Sequence, residues 1–210
     1  MTRRLVVFDL GRVLVRICDG WQHAFERAGV ALPQDVLDAP TRERLLEGVK
    51  RIEVGDIPVE AFCEEIAGHL RVSCEVVTKM WQGYCLGPFD GADRLLVDLR
   101  AAGATTACLS NTNAEHWRTL TDPDDPHGRV INRLDHRFAS HLLRARKPNE
   151  AIYERVERAT GFDPGQITFF DDVEENVAAA RGRGWRTHLI ERCENPIPTI
   201  RKYLVEDNVL

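Results

Sequence analysis

Apolar residues in this chain follow two patterns that alternate along its length. Short unbroken runs occur at residues 5–8 (LVVF), 105–109 (TTACL) and 167–170 (ITFF), and polar residues follow each at once. Runs of this length, rich in β-branched and aromatic residues, predict strands buried on both faces. Further short strands are expected about Phe138-Ala139-Ser140 and over 187–190. Between them the spacing changes to threes and fours. Ala92, Leu95, Leu96, Leu99 and Ala102 predict a helix closed by Gly103, and Ile152, Val156 and Ala159 one closed by Gly161. A small-residue helix over 177–181 and a last one from about Pro198 complete the series. Strands alternating with helices predict a parallel sheet with right-handed crossovers.

Residues 16–86 read differently, as helices alone. Trp21, Phe25 and Ala28 mark the first, stopped at Gly29, and Leu45, Val49 and Ile52 the second, broken at Val54-Gly55-Asp56. Pro58 suits the first turn of a third, which carries Phe62, Ile66 and Leu70 on one face. Val76, Val77, Met80, Trp81 and Tyr84 give the fourth, and Gly87-Pro88 reads as the return hinge of this insert. Residues 121–130 (TDPDDPHGRV) read as a surface loop, because their prolines and aspartates favour turns.

The 210 residues suffice for one domain carrying a smaller insert, and 43% hydrophobic with 29% charged residues is a soluble globular composition. A net charge of -5 with scattered arginines argues against nucleic acid or anionic membrane as a main partner. No apolar stretch approaches the roughly 18 residues of a membrane span, and the run after Arg3-Arg4 is too short for an export signal. Six cysteines without a CxxC pair predict buried free thiols in a reducing, cytoplasmic setting.

Asp9, Ser110-Asn111 and Asp171-Asp172 each follow a strand, and Lys147 follows an extended segment. In a parallel sheet such positions converge on one crevice. Taken singly each has an ordinary reading: Asp9 in a turn with Gly11, Ser110 capping the helix at Asn113, Lys147 exposed, Asp171-Asp172 capping the helix near Glu174. Together they suit phosphoryl transfer. A carboxylate can attack phosphorus and divide one displacement into two. Asp9 and Asp172 offer the hard oxygen ligands that Mg²⁺ takes. Lys147 and the Ser110 hydroxyl and N–H would steady phosphoryl oxygens.

FDLG-x-V, LSNTN, RKP and FFDD resemble, in that order, the four motifs of the haloacid dehalogenase (HAD) superfamily, and the helical insert resembles its type 1 cap. FDLG, LSNTN and FFDD are shared with a branch of small α-D-glucose-1-phosphate phosphatases. The resemblance implies an α/β fold: a doubly wound Rossmann-like parallel sheet core, residues 1–15 and 87–210, with an inserted helical cap domain, residues 16–86. It implies a Mg²⁺-dependent phosphatase of small phosphate monoesters, a sugar 1-phosphate foremost, working as a monomer or weak homodimer through an aspartyl-phosphate. Asp9, Lys147 and Asp171 would be catalytic and Ser110, Asn111 and Lys147 would bind substrate. Asp9, the carbonyl of Gly11 and Asp172 would ligate the metal, with Asp171 reaching it through water.

One position departs from most phosphatases of the superfamily, which carry an acid two residues after the nucleophile. Gly11 keeps the carbonyl but offers no proton, and positioned acid–base groups contribute roughly 10²–10⁴-fold. Substrates with acidic leaving groups should then be favoured, and His23 or Asp19 is the next candidate for a proton donor. Arg12 and Arg16 read either as phosphate or sugar contacts or as surface arginines. Two other readings share the motifs: a haloacid dehalogenase, which lacks the paired acids read here at Asp171-Asp172, and a catalytically silent binding or regulatory protein, which Gly11 would suit. A phospho-receiver domain would need the acid pair on the first strand. The resemblance implies that residues around Glu53 to Asp56, which break two helices, face the crevice, and the Val54-Gly55-Asp56 turn and Trp81 are expected to select the substrate.

Overall fold

The computed structural model describes residues 3–31 and 38–210. β1 (Leu5–Phe8) lies at the centre of a five-stranded parallel sheet. β4 (Thr105–Ser110) and β6 (Ile167–Asp171) flank it, and β5 (His136–Ala139) and β7 (Arg186–Leu189) form the edges. All four residues of β1 are fully buried, because helices cover both faces. Val6 and Phe8 pack with Leu95 and Leu99 of α5 (Ala92–Ala101) and Ile200 and Leu204 of α11 (Ile197–Glu206). Leu5 and Val7 turn the other way, onto Ile152, Tyr153 and Val156 of α9 (Glu150–Thr160) and Ala180 of α10 (Glu174–Gly182). The unbroken apolar runs thus report a sheet with no solvent face. The register sets Phe8 beside Cys108 and Phe170, so the carboxyl ends of the three central strands finish level.

The insert carries α1 (Trp21–Arg27), α2 (Ala39–Glu53), α3 (Val59–Leu70) and α4 (Cys74–Gln82). They close over their own apolar cluster, with Phe25, Leu45, Phe62, Ile66 and Met80 buried together. Pro58 stands as the N-cap of α3, one place before its first turn.

Three readings are corrected. The insert is not helical to its ends: β2 (Val15–Ile17) and β3 (Cys85–Pro88) pair antiparallel, so Gly87-Pro88 lies in a strand rather than a free hinge. Residues 121–130 are not a loop throughout. α6 (Ala114–Thr121) is followed by α7 (Pro126–Ile131), where Asp125 accepts the N–H of His127 as N-cap and Pro126 occupies the first turn. Proline and aspartate serve a helix start as readily as a turn. Of the cysteines, Cys18, Cys63 and Cys108 are buried, but Cys74 and Cys193 are exposed. No helix among the described residues is long and apolar enough to cross a membrane.

α7 packs so tightly on the end of α6 that Gly128 has no room for a side chain. A Cβ there would lie 1.8 Å from the Asp122 carbonyl oxygen. Gly128→Ala should therefore destabilise the fold by about 1–3 kcal/mol, as overpacking does. At roughly 2–4 °C per kcal/mol for a chain of this size, calorimetry would resolve the fall in Tm.

Candidate active site

The level strand ends place four charged groups together. Asp9 follows β1 directly, its N–H still bonded to the Phe170 carbonyl at 2.8 Å. Asp171 ends β6 and Asp172 follows it; with Asp9 they bring three carboxylates within 4.8 Å of one another. Lys147, on the segment between α8 (Ser140–Leu143) and α9, is 1% exposed. Its Nζ donates to Asp9 Oδ1 at 2.8 Å and to Asp171 Oδ2 at 2.6 Å, and lies 5.4 Å from the Phe169 ring centroid. Lys147 is thus no ordinary surface lysine.

Each member is held from behind. Asn111 accepts the Lys147 N–H at 2.9 Å and donates to its carbonyl at 3.0 Å. Its amide therefore fixes the lysine's backbone, a role that the grouping of Asn111 with substrate-binding residues did not anticipate. Ser140 Oγ accepts from Thr112 N at 2.9 Å and donates to Thr112 O at 3.0 Å, tying the turn after β4 to α8. Asp171 accepts from Val173 N and from Asn176 Nδ2, and the Asn176 carbonyl accepts from Tyr153. Asp171-Asp172 do not cap α10 through a side chain, nor does Ser110 cap α6; Asn113 caps α6 with its own amide oxygen. Ser110, 4% exposed, ends β4 beside Gly11 on the wall of the adjoining cavity.

Burial pushes the Asp9 carboxyl up to about 7, with Asp171 and Asp172 adding repulsion and Lys147 opposing. Burial and Asp171 also raise Asp172, against the pull of Arg12 and Lys147. Burial alone would lower Lys147, but Asp171 and Asp9 outweigh it and hold the ammonium charged. Three carboxylates face two cations, Lys147 and, 3.6 Å from Asp172, Arg12, so the acids outnumber them. Hard oxygen donors in that arrangement fit a divalent cation such as Mg²⁺.

Arg12 is not a free surface arginine. With φ at 59° it turns back beneath the strand end, where Nη2 donates to the Cys18 carbonyl at 3.2 Å and Nη1 stands 3.6 Å from Asp172. Arg16 is exposed. Asp19 and His23 line a separate cleft with Arg12, Arg16 and Arg192. They are absent from the lining of the cavity between cap and core, which encloses about 230 Å³. That cavity is walled by Gly11, Ser110 and Asn111 from the core and by Trp81, Tyr84 and Glu53 from the insert. Trp81 is both core and wall: it is 5% exposed, stacked on His116 at 4.7 Å. The Val54-Gly55-Asp56 turn docks instead on the core. Arg144 donates to the Gly55 carbonyl at 3.3 Å and to Asp56 at 3.1 Å. Glu53, one residue earlier, is what reaches the cavity, accepting from Arg146 Nε at 2.8 Å.

Asn111→Ala would remove both bonds to the Lys147 backbone, each buried partner costing about 1–3 kcal/mol when left unsatisfied. The variant should melt lower than the wild type while keeping its far-UV spectrum. An unchanged Tm would show that Lys147 is placed without it.

A family model for haloacid dehalogenase-like hydrolases matches residues 4–184. Among curated proteins, the chain is 26% identical over 140 residues to a phosphatase from Mycobacterium tuberculosis, covering 64% of this chain and 62% of that protein. It is 27% identical over 110 residues to an (S)-2-haloacid dehalogenase from Pseudomonas, covering 52% and 46%. The matches thus span less than two thirds of these relatives' lengths. Among solved structures, a HAD-like family hydrolase from Porphyromonas gingivalis superposes with a TM-score of 0.77 at 27% identity, over 96% of this chain and 98% of that one. A HAD family enzyme from Bacteroides thetaiotaomicron, in complex with magnesium and inorganic phosphate, shares the fold with a TM-score of 0.75 at 23% identity, over 92% and 97%. The chain belongs to the haloacid dehalogenase-like hydrolases.

Proposed function

We propose that this protein is a Mg²⁺-dependent phosphatase of small phosphate monoesters, with Asp9 as nucleophile; a sugar 1-phosphate is the substrate its motifs resemble most. The observation that carries the reading is the placement of Lys147, which neutralises Asp9 and Asp171 at once while Asp172 stands beside them. A dehalogenase that works without metal has no use for that acid pair. The phosphatase from Mycobacterium tuberculosis and the magnesium–phosphate complex from Bacteroides thetaiotaomicron support it further.

Lys147 holds the carboxylate through Oδ1, which leaves Oδ2 to attack phosphorus. The ester bond breaks as the Asp9–phosphoryl bond forms, and water then attacks phosphorus and releases Asp9 and phosphate. Ser110, at the end of β4, would bind a phosphoryl oxygen through its hydroxyl and N–H. Asp9, Asp172 and the Gly11 carbonyl are the groups that would hold Mg²⁺, with Asp171 behind them. When bound, the cation offsets the carboxylate charge and that of the transferring group.

A panel of sugar, nucleotide, acyl and aryl phosphates with Mg²⁺ tests the reading. Asp9→Asn should lose activity by about 10³-fold or more, as removal of a nucleophile does. Mass spectrometry of acid-quenched wild type should find a phosphoryl group on the peptide containing Asp9. Asp172→Ala should raise the Mg²⁺ requirement by about 10–100-fold. An adduct elsewhere would overturn the assignment of Asp9, and full activity on a haloacid in excess chelator would favour the dehalogenase.

A further inference from the structure

Gly11 leaves the strand end without a proton donor beside Asp9, but the fold brings another carboxyl group to the cavity that Gly11 and Ser110 line. Glu53, the last residue of α2, crosses from the insert to the wall of the cavity that Gly11, Ser110 and Asn111 line from below. Its side chain is 14% exposed, and Arg146 takes Oε2. Among the described residues no donor reaches Oε1. Glu53 is also the one carboxyl group on that wall. The imidazole and the amides there are committed elsewhere. His116 Nε2 bonds the Trp81 carbonyl at 2.8 Å, which makes that nitrogen the N–H, and Nδ1 then accepts from Asn113 at 3.2 Å. Burial lowers His116 to about 4, so it stays neutral and has no proton to give. The amides of Asn111 and Asn113 are likewise engaged, by Lys147 and by the first turn of α6. The rest of the wall includes Trp21, Trp81, Tyr84, Ile17 and Val49, with Trp81 Nε1 buried and unpartnered and no cation among the described residues that line it.

We propose that Glu53 donates the proton to the leaving oxygen. The proposal rests on the phosphatase reading and supplies the proton donor that Gly11 lacks. Burial raises the Glu53 carboxyl; Arg146 and Lys147 from the core and Lys50 from its own helix pull the other way, and burial prevails. In the first step the Asp9 oxygen bonds to phosphorus, the ester P–O bond breaks, and the departing oxygen takes the Glu53 proton to become an alcohol. In the second, the Glu53 carboxylate takes a proton from the water that attacks phosphorus, and the Asp9–phosphoryl bond breaks.

Two esters separate the possibilities: benzyl phosphate, with a poor leaving group, and para-nitrophenyl phosphate, with a good one. Glu53→Gln should lose about 10²–10⁴-fold on benzyl phosphate, the usual worth of a positioned acid, and less than about tenfold on the nitrophenyl ester. Arg146→Gln should move the alkaline limb of the benzyl phosphate profile to higher pH, because removing the cation lets the Glu53 carboxyl rise further. Adding Gly11→Asp to Glu53→Gln should restore part of the loss on benzyl phosphate. The Cβ it introduces meets only the terminal methyl of Ile17, at 3.1 Å. Equal losses on both aryl-bearing esters, reproduced by Arg146→Gln with an unmoved profile, would make Glu53 a latch between cap and core and overturn the proposal. A wild type that hydrolyses no phosphate ester would fail at the earlier step, the phosphatase reading itself.

Discussion

Lys147 carries its charge into a place where two carboxylates already face each other and a third stands alongside. Burying ions is costly unless attraction and hydrogen bonds repay the lost hydration. Here the attraction is incomplete, since one ammonium serves two of the acids and Arg12 reaches the third only at 3.6 Å. The rest of the core compensates by rigidity. Asn111 clamps the lysine's backbone, Ser140 ties the turn after β4 to α8, and Asn176, itself accepting from Tyr153, braces Asp171. The parallel sheet has the same effect on a larger scale: its register ends three strands at one level, so that groups remote in sequence cannot drift apart. Surplus negative charge kept in a stiff frame is a poor device for stability and a good one for gripping a cation.

The sheet was legible because a strand buried on both faces must be apolar throughout, and the polar residues that end such runs mark the crevice. Asp9, Ser110 and Asp171 could be read in that way. Lys147 could be found by its motif, but its burial could not, since its backbone is held by the clasp from Asn111, remote in sequence in the turn after β4. α7 was hidden because Asp125 and Pro126 stabilise a turn and a helix start alike. β2 and β3 were hidden because three or four residues carry little periodicity, and each is a strand only by virtue of the other. The segment from Glu53 to Asp56 was expected at the crevice, but which of its residues enters was not legible: Gly55 and Asp56 dock on Arg144, and Glu53 lines the cavity.

The two walls of the cavity differ in kind. The core side presents polar groups fixed by backbone and side-chain bonds, suited to a phosphoryl group that all substrates would share. The opposite side is aromatic and aliphatic, with one carboxyl group. The insert wall around Glu53 can thereby change while the strand ends are kept.

The ribbon of β2 and β3 gives that separation a topological basis. Val15 pairs with Pro88 and Arg16 with Gly87, so the chain leaves the core and re-enters it at adjacent points. An insert whose ends are already held together presents the core with a closed loop of nearly fixed span. Because loop-closure entropy grows only with the logarithm of length, about 0.6 kcal/mol for each doubling, the core is almost indifferent to how much chain lies beyond the ribbon. A larger, smaller or differently folded insert could be grafted at the same two residues without re-registering a strand of the sheet.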